Sequence, residues 1–278
     1  MRDFLGRTAV VTGAGSGIGA AIARRCAHEG MNIVLADVSE RRLAEQRALL
    51  SETGVRVLTV QTDVSSASDV DQLANTAFEE FGEVHLLCNN AGVLHVAPLL
   101  EHTAADWDWV LGVNLLGVIN GIRSFGSLMA DQPGESHIVN TASLAAFTTG
   151  PGLAAYKVTK HAVLALSEIL YYEMSGTRVG VSVLCPGWVD TGIMDAEESR
   201  RSDLKNPDDV QPTNAEFNRE RGRKSAKAGA SPLEIAGALF EAIGRGDFYV
   251  IPDASFEAPY ELRVQGVLAR RNPGVRSL

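Results

Sequence analysis

Seven short runs of apolar, largely β-branched residues, separated by longer stretches of helical character, constrain this chain more than any other feature. They span residues 8–12, 32–36, 55–60, 84–88, 137–140, 179–184 and 248–251. A strand with one wet face alternates apolar and polar residues, whereas these runs are continuous, as in strands buried on both faces. Parallel strands need crossovers, and crossover helices cover both faces of the sheet. The chain therefore reads as α/β, a doubly wound three-layer sandwich around a seven-stranded parallel sheet.

Helix starts are marked by short polar side chains that can accept hydrogen bonds from the unpaired N–H groups of a first turn. Thr103 with Asp106 marks one such start, and Ser231, Pro232 and Glu234 form a fuller capping box. Internal repeats, low-complexity tracts and long linkers are not found, so one domain is expected over 1–278. Only 192–230 interrupts the rhythm, being dense in charge and poor in apolar periodicity. Such a stretch is either solvated surface or a lid, and its place after a strand end favours a lid. Past the last run, Phe256, Tyr260, Leu262, Val264, Val267 and Leu268 suggest an amphipathic helix in a C-terminal extension, 255–278.

Composition excludes several function classes. The 278 residues carry a formal charge of −9, with 45% hydrophobic and 21% charged residues, which is globular rather than disordered. An acidic balance argues against nucleic acid or an anionic membrane as the main partner, since both require clustered Lys and Arg. Cys26, Cys88 and Cys185 form no CxxC pair or even-numbered framework. A reduced, cytoplasmic location is expected, and no apolar run is long enough for a membrane span. His28, His85, His95, His102, His137 and His161 show no metal-ligand spacing, so no metal is expected.

Chemistry is carried by three features. The first strand runs into Thr12-Gly-Ala-Gly-Ser-Gly-Ile-Gly19, with glycines at 13, 15, 17 and 19. Such a turn is either a tight structural bend or a cradle in which helix N–H groups meet a pyrophosphate. The spacing of Gly13, Gly17 and Gly19 is G-x-x-x-G-x-G, not the commoner G-x-G-x-x-G. Asp37 follows Gly19 by 18 positions at the end of the second run, where a carboxylate can accept from both adenosine ribose hydroxyls. It would repel the 2′-phosphate of NADP, although Arg41 and Arg42 lie close enough to pair with one. Tyr156 and Lys160, four apart, project from one helix face; a nearby ammonium favours the phenolate of a tyrosine.

Together with Asn89-Asn-Ala-Gly92, Asn114, Ser143 and Pro186-Gly187, these motifs resemble the short-chain dehydrogenase/reductase family. They occur in that family's order, with 13 residues from Ser143 to Tyr156, and the resemblance runs from about Leu5 to Ile251. It implies a Rossmann-like fold and hydride transfer between a secondary alcohol or ketone and NAD. By the same resemblance Tyr156 is the general acid/base, and Lys160 lowers its pKa and holds the nicotinamide ribose. Ser143 hydrogen-bonds the reacting oxygen, and Asn114 anchors a water in the proton relay. Gly13, Ser16, Gly17, Ile18 and Gly19 would cradle the pyrophosphate, and Asp63 and Val64 would contact adenine. Asn90 and Gly92 would support the adenosine ribose side; Pro186, Gly187, Val189 and Thr191 would border the nicotinamide, with Val189 and Thr191 gripping its carboxamide. Asn89 to Gly92 as a plain amide-stabilised loop, and Thr191 as a helix cap, are the structural alternatives.

The chain departs from the family at His85, where an acidic residue is common, and in the length of 192–230. The substrate pocket is expected near 94–96, 144–152, Trp188, Ile193 and Met194, which is mostly apolar and suits a bulky alcohol or ketone with an aromatic or steroid-like skeleton. The stretch 106–127 is also similar to family members that oxidise benzylic alcohols of lignin-derived aryl ethers. His95 is either a satisfied loop residue or a pocket residue, and Trp107 and Trp109 read as packing. Members of the family commonly pair helices equivalent to 106–129 and 154–174, and Ala154, Ala155, Ala162 and Ala165 permit close approach, so a homotetramer is expected. An NADP-preferring carbonyl reductase, or a dinucleotide-binding sensor without turnover, are the alternative readings.

Overall fold

In the computed structural model, which describes residues 1, 3–207 and 212–274, all seven runs contribute strands to one sheet. These are β1 (Thr8–Thr12), β2 (Asn32–Asp37), β3 (Val57–Gln61), β4 (Leu86–Asn89), β5 (Ser136–Thr141), β6 (Val179–Leu184) and β7 (Tyr249–Val250). Every pairing is parallel, in the order β3-β2-β1-β4-β5-β6-β7. The doubly wound Rossmann-like class is thus the one observed. Strand ends differ from the apolar runs where pairing stops. β3 starts two residues late because Val55 follows the left-handed Gly54 turn, and β7 pairs through Tyr249 and Val250 alone.

Nine α-helices are described: α1 (Gly17–His28), α2 (Glu40–Leu50), α3 (Ala67–Phe81), α4 (Ala104–Leu111), α5 (Gly117–Asp131), α6 (Ala154–Glu173), α7 (Ala215–Lys227), α8 (Pro232–Arg245) and α9 (Glu257–Leu268). Successive strand residues point to opposite faces, which sorts the core into two layers. Ala9, Val11, Ile33 and Leu35 pack with Ile22 of α1 and Leu239 of α8. Val10 and Val34 pack with Leu73 of α3, Phe125 of α5 and Leu170 of α6. From β1 the chain winds outward to β2 and β3, then returns to place β4 on the other side of β1. That reversal opens a crevice beyond the carboxyl ends of β1 and β4, the usual ligand position in such sheets.

Both predicted helix starts form, and each is a capping box, Thr103 with Asp106 at α4 and Ser231 with Glu234 at α8. The helix expected over 106–127 starts at Ala104 and is interrupted: Gly112–Leu116 is a π turn between α4 and α5, with Asn114 at its centre. In 192–230 the chain makes 3-10 turns at Gly192–Ser199 and Ser202–Leu204, then α7; residues 208–211 of that stretch lie outside the described residues. The C-terminal helix is present as α9, but no residue along it is buried. Near its start Phe256 and Tyr260 lie with ring centres 4.9 and 5.2 Å from Phe147, and further along Arg263 Nη1 donates to Phe147 O at 3.0 Å and lies 3.0 Å from His161 Nε2. Leu262, Val267 and Leu268 stay exposed, and 275–278 of the extension lie outside the described residues. His85, the departure from the family pattern, accepts from Thr8 N at 3.2 Å and so helps align β1 with the start of β4. Among the described residues, no helix is long and apolar enough to cross a membrane.

Candidate active site

The crevice is a cavity of about 560 Å³ whose two ends differ in chemistry. At one end the turn after β1 forms a cradle. Gly13 holds φ +64, and a Cβ there would sit 2.9 Å from Ala91 Cα; a Cβ at Gly19 would sit 2.1 Å from Gly13 O. Only glycine permits this conformation and these approaches, which leave the start of α1 open to an anion. Thr12 locks the turn to the loop after β4: its hydroxyl accepts from Asn90 N at 2.9 Å and Ala91 N at 3.1 Å, and Asn90 Nδ2 donates to Thr12 O at 3.0 Å. Asp37 closes the cradle, its carboxylate accepting from Gly15 N and Ser39 N at 3.0 Å each. These residues fit a dinucleotide: glycines against phosphates, and a fixed carboxylate one strand over for ribose hydroxyls.

The other end carries groups for proton transfer. α6 presents Tyr156 and Lys160 one turn apart, and Lys160 Nζ lies 5.6 Å from the Tyr156 ring centre. The ammonium donates to Thr141 O at 2.8 Å and is almost fully buried. Ser143, just past β5, accepts from Ala145 N at 3.1 Å. Burial pushes the Tyr156 phenol above its ordinary range, and the hydrogen bond with Ser143 pulls the other way. Burial likewise holds Lys160 down at about 8. In this ligand-free structure burial, rather than the ammonium, sets the direction of the phenol's shift. Both groups lose hydration together, and the lysine is engaged by Thr141 rather than by the phenol oxygen. Asn114 is completely buried: its Oδ1 accepts from Val93 N at 2.8 Å, and its Nδ2 donates to Val93 O at 2.9 Å and Thr159 Oγ1 at 3.3 Å. Its side chain thus fastens the loop after β4 to the π turn and to α6.

A model of the short chain dehydrogenase family matches residues 7–202. The chain belongs to this family. It is 42% identical to a short-chain dehydrogenase/reductase from Burkholderia phymatum, solved in complex with NAD, with a TM-score of 0.96 and full coverage of both chains. The apo form of LigO from Sphingobium sp. strain SYK-6 is 31% identical, with a TM-score of 0.81 over 97% of this chain and 90% of that one. Among characterised sequences, the 1-deoxy-11-beta-hydroxypentalenate dehydrogenase of Streptomyces exfoliatus is 35% identical over 261 residues, covering 93% of this chain and 86% of the relative.

For this short-chain dehydrogenase, the cavity brings together nearly all of the residues singled out in the sequence. Gly13, Ser16, Gly17, Ile18, Asp37, Asp63, Val64, Asn90 and Gly92 line it, as do Ser143, Tyr156, Lys160, Pro186, Gly187, Val189 and Thr191. Gly19 and Asn114 stand behind the lining. Of the expected pocket residues, Leu94, Leu144, Trp188 and Ile193 line the wall, whereas Val96, His95 and Met194 do not. Met194 instead lies against α7, where a Cβ on Gly222 would meet its Cε at 2.4 Å. Trp109 is buried in packing as expected and also borders the cavity. Sequence reasoning passed over Thr141, Arg201, Asp253 and Phe256. Arg201 lines the cavity and reaches Asp63 at 3.5 Å, a pairing across 138 positions that no local spacing announces. Among the described residues no group of three or more His, Cys, Asp or Glu could hold a metal ion.

Proposed function

We propose that the protein is a single-domain NAD-dependent oxidoreductase interconverting a secondary alcohol and a ketone on a bulky, largely apolar substrate. The observation that carries this reading is one cavity with a glycine cradle closed by Asp37 at one end and Ser143, Tyr156 and Lys160 at the other. When bound, the dinucleotide supplies the hydride acceptor or donor. Tyr156 Oη exchanges the proton with the substrate oxygen. Its raised pKa keeps it protonated at neutrality, the form that donates to a ketone oxygen as negative charge develops there. Ser143 Oγ provides a second hydrogen bond to that oxygen. Lys160 orients the nicotinamide ribose, and Asn114 holds the loop and the π turn that border the proton path.

Gly13, Ser16, Gly17 and Ile18 receive the pyrophosphate over Gly19, Asp63 and Val64 border adenine, and Asn90 and Gly92 border the adenosine ribose. Pro186, Gly187, Val189 and Thr191 contact the nicotinamide. The NAD complex of the Burkholderia phymatum relative supports the cofactor, and the hydroxypentalenate dehydrogenases support an alcohol or ketone group. Leu94, Leu144, Leu153, Trp188, Ile193 and Phe256 support an apolar skeleton. An NADP-dependent reading draws on Arg42, which lines the cavity beside Asp37; comparing kcat/KM for the two cofactors separates the readings. We take 192–230 as the lid, the location as cytoplasmic and the assembly as a homotetramer through 106–129 and 154–174, that is α4 with α5 and α6, to be checked by sedimentation. Tyr156→Phe tests the chemistry: NAD affinity should stay within about twofold while turnover falls by about 10²-fold or more. A variant that keeps most of its turnover overturns the assignment.

A further inference from the structure

Behind the substrate end of the cavity lies a buried charged cluster that the mechanism above does not use. His95 belongs to the loop after β4, Asp106 to the first turn of α4, and Glu197 and Arg200 to the segment after Thr191. His95, Asp106 and Arg200 are 3%, 1% and 4% exposed. Arg200 Nη1 lies 2.8 Å from Asp106 Oδ1 and 3.4 Å from Glu197 Oε2, and its guanidinium stands 4.9 Å over the Trp109 ring. Asn206 extends the same contact, donating to Asp106 Oδ1 at 2.9 Å and accepting from Thr103 Oγ1 at 2.8 Å. His95 Nδ1 is 2.7 Å from Glu197 Oε1, while its Nε2 is 3.5 Å from Asp106 Oδ2 without a hydrogen bond. His102 stands edge-on to the ring at 5.2 Å, and its own Nδ1 bonds Pro98 O at 3.0 Å.

The proton count on His95 decides the balance of this cluster. With a neutral imidazole donating from Nδ1 to Glu197, the Nε2 lone pair faces the Asp106 carboxylate, and one cation must serve two anions, Asp106 buried and Glu197 partly exposed. With an imidazolium, both ring nitrogens carry protons and the four charges cancel. Both carboxyls are held below the usual carboxylate range. Burial pushes both up, but the Thr103 backbone bond, the His95 charge and Arg200 outweigh it at Asp106, and the His95 and Arg200 contacts outweigh it at Glu197. The segment tied down by these contacts contributes Ile193, Ala196, Ser199 and Leu204 to the cavity wall, and α4 runs directly into the π turn of Asn114.

We propose that His95 and Arg200 are positioning residues: the buried cluster fastens 192–206 over the substrate end of the cavity, tightly when His95 carries two ring protons and loosely when it carries one. The kinetic consequence rests on the oxidoreductase reading above, but the fastening itself does not. The test is backbone amide exchange of 192–206 in the ligand-free protein from pH 5.5 to 8.5, corrected for intrinsic rates. Wild-type protection should fall about tenfold as pH rises, the effect of losing the charge behind the His95–Glu197 hydrogen bond and the ion-pair contact with Asp106. His95→Asn keeps a donor toward Glu197 and removes the titration, so its protection should be flat with pH. Glu197→Gln, at a partly exposed position, should flatten it too and serves where the first variant folds poorly. Arg200→Met should lower protection at every pH. In turnover assays the substrate KM should rise over the same pH range in wild type and not in His95→Asn, with kcat following a different profile. Wild-type protection that is independent of pH, or equal slopes in wild type and both pH variants, overturns the proposal. Absence of turnover with any alcohol would count against the oxidoreductase reading and leave the exchange result decisive for the cluster.

Discussion

Lys160→Met should stabilise the ligand-free protein while abolishing its turnover. The ammonium is 3% exposed, donates one hydrogen bond to Thr141 O at 2.8 Å, and is held by burial at about 8 instead of the ordinary 10.5. A folded pKa below the unfolded one means that the unfolded chain binds the proton more tightly. The folded state therefore carries the whole cost below about pH 8, and that cost fades as pH rises toward 10.5. At 1.36 kcal/mol per pKa unit, the full cost is about 3 kcal/mol. Methionine has a similar reach and no charge, so it removes this cost but leaves the Thr141 carbonyl without its donor, a loss of about 1–2 kcal/mol. The balance is about 1–2 kcal/mol in favour of the variant at pH 7, or roughly 3–5 °C in Tm for a chain of this size. Thermal unfolding of both proteins without cofactor, at pH 7 and pH 10, measures it. The gap should be largest at pH 7 and narrow at pH 10. A variant less stable than wild type at pH 7, or a gap that ignores pH, would refute the claim that the site keeps a desolvated ammonium.

Asp37→Ala removes a carboxylate held by two backbone N–H groups, so the ratio of kcat/KM for NAD over NADP should fall by about tenfold or more; an unchanged ratio would show that cofactor choice lies elsewhere. Asn114→Ala breaks three buried hydrogen bonds and strands both backbone groups of Val93, which should lower the urea unfolding free energy by about 3–5 kcal/mol. A loss under about 1 kcal/mol would mean that the loop after β4 is held by other contacts.

The fold was legible because its signals are local and repeated. Continuous runs such as residues 8–12 and 179–184 state burial on both faces, and the capping boxes at Thr103 and Ser231 mark helix starts within four residues. What was not legible depends on partners. The boundary of β7 is set by how far β6 can pair with it, and the π turn at Gly112–Leu116 leaves no mark in a stretch whose composition suits an ordinary helix. The C-terminal extension shows the same limit. Its apolar residues suggested a packed stripe, yet Leu262, Val267 and Leu268 find nothing to cover them in one chain.

The site divides along the same line. The glycine turn and the Tyr156–Lys160 pair are short-range patterns, and the parallel sheet then brings them to one crevice without further instruction, since each follows or faces a strand end. Spacing reports which charge stands near Tyr156 but not how much water both groups lose, and burial is the first cause of the shift at each. The substrate end is harder still. Leu94, Leu144, Leu153 and Phe256 carry the same apolar character as core residues, so nothing in their identity separates a pocket wall from packing. The contacts that shape this end pair residues far apart in the chain, Arg200 with Asp106 and Glu197 with His95, and each such residue read alone is a solvated charge. If a buried ion cluster holds the wall in place, substrate range in this protein depends as much on those distant charges as on the apolar side chains that touch the substrate. Exchanging the wall residues alone should then shift specificity less than exchanging them together with 192–206.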